Sequence, residues 1–152
     1  MVTQTTQALP DGRPYSMKYV LNQRESQGLE YACDLYQQRF GRPPQDDPDL
    51  FIHLGDNPRK FLCWSAVSGR MPTFRTGSGF FYNPFKDCWL LPKDKLACLG
   101  FPVTPEISAA MNVPTVPIAD HFHAASIAGN SFHFSTVAVV QMVALACYRI
   151  KA

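Results

Sequence analysis

A chain of 152 residues, 46% hydrophobic and 12% aromatic, is long enough to fold as one domain with a modest core, and this composition excludes a disordered or fibrous chain. A formal charge of +2 gives no global attraction for nucleic acid, so any such contact must come from local clustering of cations. Five cysteines (Cys33, Cys63, Cys88, Cys98, Cys147) are odd in number and form no CxxC pair, which predicts reduced thiols in an intracellular protein.

Residues 1–25 hold Pro10, Gly12 and Pro14 without a clear period and read as an irregular arm, with one short strand around Met17 to Leu21. The polar start, Met1 to Thr6, shows no secretory signal. From Ser26 the pattern changes. Leu29, Ala32, Cys33, Tyr36 and Phe40 recur at three- and four-residue spacing, which predicts an amphipathic helix capped by Ser26 and stopped by Gly41 and Pro43. A linker rich in proline and aspartate follows to residue 48.

Leu50 to Leu54 and Lys60 to Val67 are short apolar runs on either side of Gly55-Asp56-Asn57-Pro58 and predict two strands; Met71 to Thr76 predicts a third. Gly77-Ser78-Gly79 opens a loop carrying Phe80, Phe81, Tyr82 and Phe85. Pro92 suits the first turn of a helix that Gly100 ends. A second short helix is expected from Thr104, with Pro105 at its first position and Glu106 against the dipole, running to about Met111. Pro114 and Pro117 mark extended loop, and Asp120 to Ala125 leads into a Gly129-Asn130-Ser131 turn. Asn130 or Ser131 then caps a final helix through Arg149, apolar on several sides and therefore expected to be largely buried. Its apolar run is shorter than the roughly 20 residues of a membrane span and is interrupted by Thr136 and Gln141, so no membrane partner is expected.

Few residues have the spacing of a catalytic or metal site. His121, His123 and Asp120 lie close in sequence, but a metal needs further ligands, and the commoner role is hydrogen bonding at a turn or helix end. Cys63 and Cys98 have no local activating group and read as small hydrophobes. Gly77-Ser78-Gly79 lacks the lysine of a phosphate loop. More informative are Arg59, Lys60, Arg70, Arg75 and Lys86, interleaved with Phe61, Trp64, Phe74, Phe80, Phe81 and Tyr82. Cations and hydroxyls such as Thr73, Thr76 and Ser78 suit phosphates, and aromatic rings either stack on bases or fill a core.

Three pieces in order carry a resemblance. Pro72-Thr73-Phe74-Arg75-Thr76, then Pro92-Lys93-Asp94-Lys95-Leu96-Ala97-Cys98-Leu99-Gly100-Phe101-Pro102, then Gly129-Asn130-Ser131 before a terminal apolar helix, together resemble the C-terminal part of a DNA cytosine-5 methyltransferase over about residues 70–149. In that family a Pro-Thr strand leaves the target-recognition region, a helix ending in Leu-Gln-Gly-Phe-Pro follows, and Gly-Asn opens the last helix. Lys93 and Asp94 stand where the family has Arg and Glu, whereas Cys88, Leu91, Ala97 and Leu99 depart from its pattern and no proline follows Asn130-Ser131. The resemblance implies double-stranded DNA as partner, with Arg70, Thr73, Arg75, Thr76 and Lys86 as contacts. It also implies that Asn130 and Ser131 line half an S-adenosylmethionine pocket.

The family's Phe-x-Gly-x-Gly cofactor loop, Pro-Cys nucleophile, Glu-Asn-Val acid and Gln-x-Arg-x-Arg segment do not occur in these 152 residues. C5 methylation needs a thiolate and an acid acting on a flipped base, so the chain alone is expected to be inert. It would bind S-adenosylmethionine only with a catalytic methyltransferase chain as partner, use no metal, and reside inside the cell with DNA, in nucleus or nucleoid. Three readings follow: the recognition half of a split methyltransferase, a non-enzymatic DNA-binding or scaffold protein, or a truncated inactive fragment. The expected fold is α+β (partial α/β). The arm (1–25) precedes one domain (26–152), made of helix and linker (26–48), a recognition-like irregular antiparallel β region (49–91), and C-terminal helical motifs (92–152) with short helices and a long last helix.

Overall fold

The computed structural model describes residues 16–75 and 80–147, and shows a mixed α and β chain with five α-helices and one three-stranded antiparallel sheet among them. Two compact units divide these residues, 16–72 with 80–89 and 73–75 with 90–147.

The first unit is a helix on a sheet. Helix α1 spans Gln23–Phe40 and starts four residues before the position expected from a Ser26 cap. Its cap is Asn22, whose side chain accepts the Glu25 N–H at 2.9 Å while the Glu25 carboxylate accepts the Asn22 N–H at 3.0 Å. This reciprocal pair satisfies two donors that a lone serine cap would leave, which is why the helix begins there. Gly41, at φ +68°, ends it as the sequence predicts. Leu29, Ala32 and Tyr36 form its buried stripe.

Strand β1 (Ile52–His53) pairs with β2 (Phe81–Asn83), and β2 with β3 (Cys88–Trp89), in the order β1-β2-β3. The register sets Ile52 opposite Tyr82 and Tyr82 opposite Trp89. Leu50, Ile52 and Leu54 alternate onto the α1 stripe and are almost wholly buried, each stabilising the unit by about 1.5–3 kcal/mol. The Tyr36 hydroxyl donates to Asp47 at 2.6 Å, and Arg42 donates to both, which ties the proline-rich linker to the helix.

Several expected strands take other forms. Met17–Val20 is a 3₁₀ turn behind Ser16 rather than a strand. Residues 60–67 form no strand; Trp64 makes a single bridge to Ile52, while Leu62, Trp64 and Ala66 still pack on the core. Residues 71–75 are irregular, and β2 lies where the sequence suggested an aromatic loop.

The second unit holds the remaining helices. Helix α2 spans Pro92–Cys98 and α3 spans Pro105–Met111, both as predicted from their prolines. The Thr104 hydroxyl accepts the Ile107 N–H at the start of α3. Helix α4 spans His121–Asn130, where the sequence predicts a lead into a Gly129-Asn130-Ser131 turn, because the Asp120 carboxylate caps it by accepting the Phe122 and His123 N–H groups at 2.7 and 3.2 Å. Leu96 and Val103 pack on Ala124 and Ala128, so the core of this unit is α2 against α4.

The final helix corrects two expectations. Helix α5 spans Phe134–Cys147, so Asn130 and Ser131 end α4 and do not cap the helix that follows. None of its residues is buried. Its start is anchored to the unit and Val137 and Ala138 are half-buried, but every residue from Val139 to Cys147 is exposed.

Candidate functional site

The second unit brings together pieces that lie far apart in sequence. At the start of α2, the Leu91 N–H donates to the Asp94 carboxylate at 2.9 Å, so Asp94 stabilises the first turn of the helix. One turn later Lys95 is buried, with its ammonium 5.9 Å from the centre of the Phe74 ring. Burial lowers the pKa of Lys95. Phe74 is itself buried between exposed Thr73 and Arg75, so this stretch anchors by its aromatic ring and presents the two polar side chains.

Helix α2 ends in a tight turn in which the Phe101 N–H returns to the Leu96 carbonyl at 3.0 Å and Gly100 takes φ +80°. The turn lies against the segment that follows α4. A Cβ on Gly100 would stand 3.1 Å from Cε1 of His133. The Phe134 N–H donates to the Leu99 carbonyl at 2.7 Å, and the rings of Phe101 and Phe134 are 5.8 Å apart. Leu99-Gly100-Phe101 and Phe132-His133-Phe134 are therefore joined backbone to backbone. No short-range pattern in the sequence signals that contact.

Asn130 and Ser131 sit just before this junction. The Asn130 side chain is exposed and its amide donates to the Ser126 carbonyl at 3.0 Å; Ser131 is half-buried in extended backbone. The two residues place a carboxamide and a hydroxyl at the C-terminal end of α4. At the opposite end of α4, Asp120 accepts from the His123 and Phe122 N–H groups, and those bonds hold its carboxyl below the usual range. His123 Nδ1 is 3.2 Å from the same carboxylate, the helix-end role expected of this histidine. Among the described residues no group of three or more His, Cys, Asp or Glu side chains could hold a metal ion.

The other residues expected to touch DNA are divided between the units. Arg70 and Lys86 belong to the first, Thr73 and Arg75 to the second, and all four are exposed. Thr76 lies outside the described residues. Arg70 follows a turn in which the Ser68 hydroxyl oxygen accepts its N–H at 3.1 Å. Among the described residues of the first unit, Arg59, Lys60, Arg70 and Lys86 are exposed, but its eight Lys and Arg are matched by eight Asp and Glu, exposed Asp46 and Asp49 among them. Asp56 is turned toward His53, 3.5 Å from its Nδ1, and Asp87 accepts the Tyr82 hydroxyl, so both carboxylates face neighbours. A separate cleft of about 540 Å³ between α1 and residues 57–59 is lined by Arg24, Tyr31, Asn57 and Arg59 but also by Glu30 and Asp34. Its carboxylates offset its guanidinium groups, which makes it a poor trap for phosphate.

No protein-family profile, curated protein or solved structure matches the chain.

Proposed function

We propose that the chain is the DNA-recognition and C-terminal portion of a DNA cytosine-5 methyltransferase-like protein, inert by itself and completed by a catalytic segment or partner chain. The observation that carries this reading is the convergence of three stretches in one unit. Phe74 of Pro72-Thr73-Phe74-Arg75 lies under Lys95 of α2, and Gly100 of the Gly-Phe-Pro turn lies against His133, which closely follows Gly129-Asn130-Ser131.

Helix α5 leaves that junction apolar and uncovered, as a helix does when its cover is supplied by another segment or chain. Asn130 and Ser131 then form one edge of an S-adenosylmethionine pocket whose other walls, together with the nucleophile and acid, belong to the partner. S-adenosylmethionine supplies the methyl group only in that assembly. Arg70, Thr73, Arg75, Thr76 and Lys86 contact the phosphates of double-stranded DNA, and the protein works where DNA is, in nucleus or nucleoid.

The test is a titration of the chain against duplex DNA at several salt concentrations, followed by fluorescence anisotropy. Micromolar or tighter binding that weakens with salt is the expected result. Arg75→Ala should weaken binding and reduce the logarithmic salt slope by about one unit. An unchanged slope would remove Arg75 from the site, and no binding at low salt would overturn DNA recognition by this chain alone.

A further inference from the structure

The cleft between α1 and residues 57–59 has two walls that are each fixed by contacts of their own. Gly28 is buried where the walls meet, and a Cβ there would stand 3.4 Å from the Pro58 ring. The Asn57 side-chain oxygen accepts the Arg59 N–H at 3.0 Å, and the Asn57 carbonyl accepts the Lys60 and Phe61 N–H groups at 3.0 and 2.9 Å, which holds the turn. Arg24 ties helix to turn by donating from Nη1 to the Gly55 carbonyl at 3.3 Å. Across the cleft, the Arg59 guanidinium lies 5.6 Å from the centre of the Tyr31 ring. The enclosed volume, about 540 Å³, is that of a small-molecule site.

The charges of this cleft balance, yet they are not spent on one another. Two guanidinium groups, Arg24 and Arg59, line it with two carboxylates, Glu30 and Asp34. Among the described residues neither carboxylate makes a hydrogen bond or an ion pair, and the Arg59 guanidinium has the Tyr31 ring alone. Glu30 and Asp34 are one helical turn apart, and Asp34 is also one turn from Tyr31, so both signs of charge border the same ring. A ligand of a single sign would meet one pair and be repelled by the other. We infer that the cleft binds a small zwitterion of the amino-acid kind, its ammonium group at Glu30 and Asp34 and its carboxylate at Arg59. The unspent N–H groups of that guanidinium can hold both oxygens of a carboxylate. Fixed walls also lose little conformational freedom when the ligand enters. This site lies within the first unit and does not depend on the DNA reading.

The experiment titrates the full, isotope-labelled chain with glycine, β-alanine, γ-aminobutyrate and ε-aminohexanoate, in which the two charges stand progressively further apart. Propionate and propylammonium serve as single-charge controls, and the backbone amide resonances of Gly28, Tyr31 and Asn57 report binding. At least one zwitterion should shift these resonances to saturation and bind about tenfold more tightly than either control, the worth of one hydrogen bond between charged groups. Arg59→Gln and Asp34→Asn should each weaken that zwitterion by about tenfold. Arg59→Gln should also erase its advantage over propylammonium, and Asp34→Asn its advantage over propionate. Both side chains touching the ligand are exposed, and unchanged resonances in the sheet would show that the variants fold. Controls that bind as well as the zwitterions, or variants that bind as well as wild type, would overturn the inference. So would unmoved resonances up to roughly 10 mM ligand, where even a millimolar site fills.

Discussion

Individual glycines show how one missing Cβ can matter in opposite directions. Gly100 combines a left-handed backbone at φ +80° with an imidazole whose Cε1 lies 3.1 Å from where a Cβ would stand. Gly100→Ala is expected to destabilise the second unit by about 1–3 kcal/mol from backbone conformation alone, with displacement of His133 in addition. Gly28, inside α1, would place its Cβ 3.4 Å from Pro58, an ordinary contact, so Gly28→Ala should gain about 0.5–1 kcal/mol of helix stability. Urea denaturation of both variants tests the pair; a neutral Gly100→Ala would show that the junction with His133 yields easily.

Tyr36 gives a prediction about pH. Burial, then its bond to Asp47, raises the pKa of the phenol above the ordinary 10.0. The unfolded chain therefore releases this proton first. The stability contributed by Tyr36 is complete below pH 10 and is lost as pH rises through the higher folded value. Tyr36→Phe should cost about 1–2 kcal/mol at neutral pH and flatten the alkaline limb of the stability profile. Thermal melts from pH 7 to 11 would show both effects, and an alkaline limb identical to wild type would assign that limb to other groups.

At the level of elements, α5 separates what sequence can state from what it cannot. Apolar residues on several sides predict burial, and the pattern does describe a surface that water disfavours. What covers such a helix is a property of its neighbours, and among the described residues its second half, Val139 to Cys147, is exposed throughout. Val143→Lys with Leu145→Lys should therefore leave the chain's stability within about 0.5 kcal/mol of wild type, since both side chains are exposed. The same pair should block a partner chain from docking on α5. A large loss of stability would mean that α5 is covered after all. No single described helix is long and apolar enough to cross a membrane; α4 and α5, bent by 49° at the break between them, reach that length and composition only together.

The other helices were legible to differing degrees for physical reasons. Helix α3 could be read because Thr104, Pro105 and Glu106 put the cap, the first-turn proline and the favourable charge in consecutive places. Helix α4 was missed because the residues it buries are alanines, Ala124 and Ala128, which leave almost no hydrophobic period. The run from Lys60 to Val67 had strand composition, and its backbone does exchange hydrogen bonds beside β1, but with one bridge only. Of the candidate site, the exposed cations could be read directly. The approach of Gly100 to His133 depends on the turn that ends α2 and on the chain leaving α4, neither of which has a local signature.

For the molecule as a whole, the decisive feature is that there are two cores. Leu29, Ala32, Tyr36, Leu50, Ile52, Leu54, Tyr82 and Trp89 make one cluster, wholly within the first unit. Leu96, Val103, Ala124 and Ala128 make the other, wholly within the second, and it is the smaller and half of it is alanine. Buried apolar area sets the stabilisation each core can offer, so the first unit should outlast the second on heating. Two calorimetric transitions are expected. Leu96→Ala should lower only the first to melt, and Leu50→Ala only the later one, each by the roughly 2–5 kcal/mol of a buried leucine truncation. One shared transition moved by both variants would mean that the units fold as one body. Because Phe74, Lys95, Gly100, His133 and α5 all lie in the second unit, the proposed partner, if it covers α5, should raise the lower transition selectively, in proportion to the logarithm of its concentration.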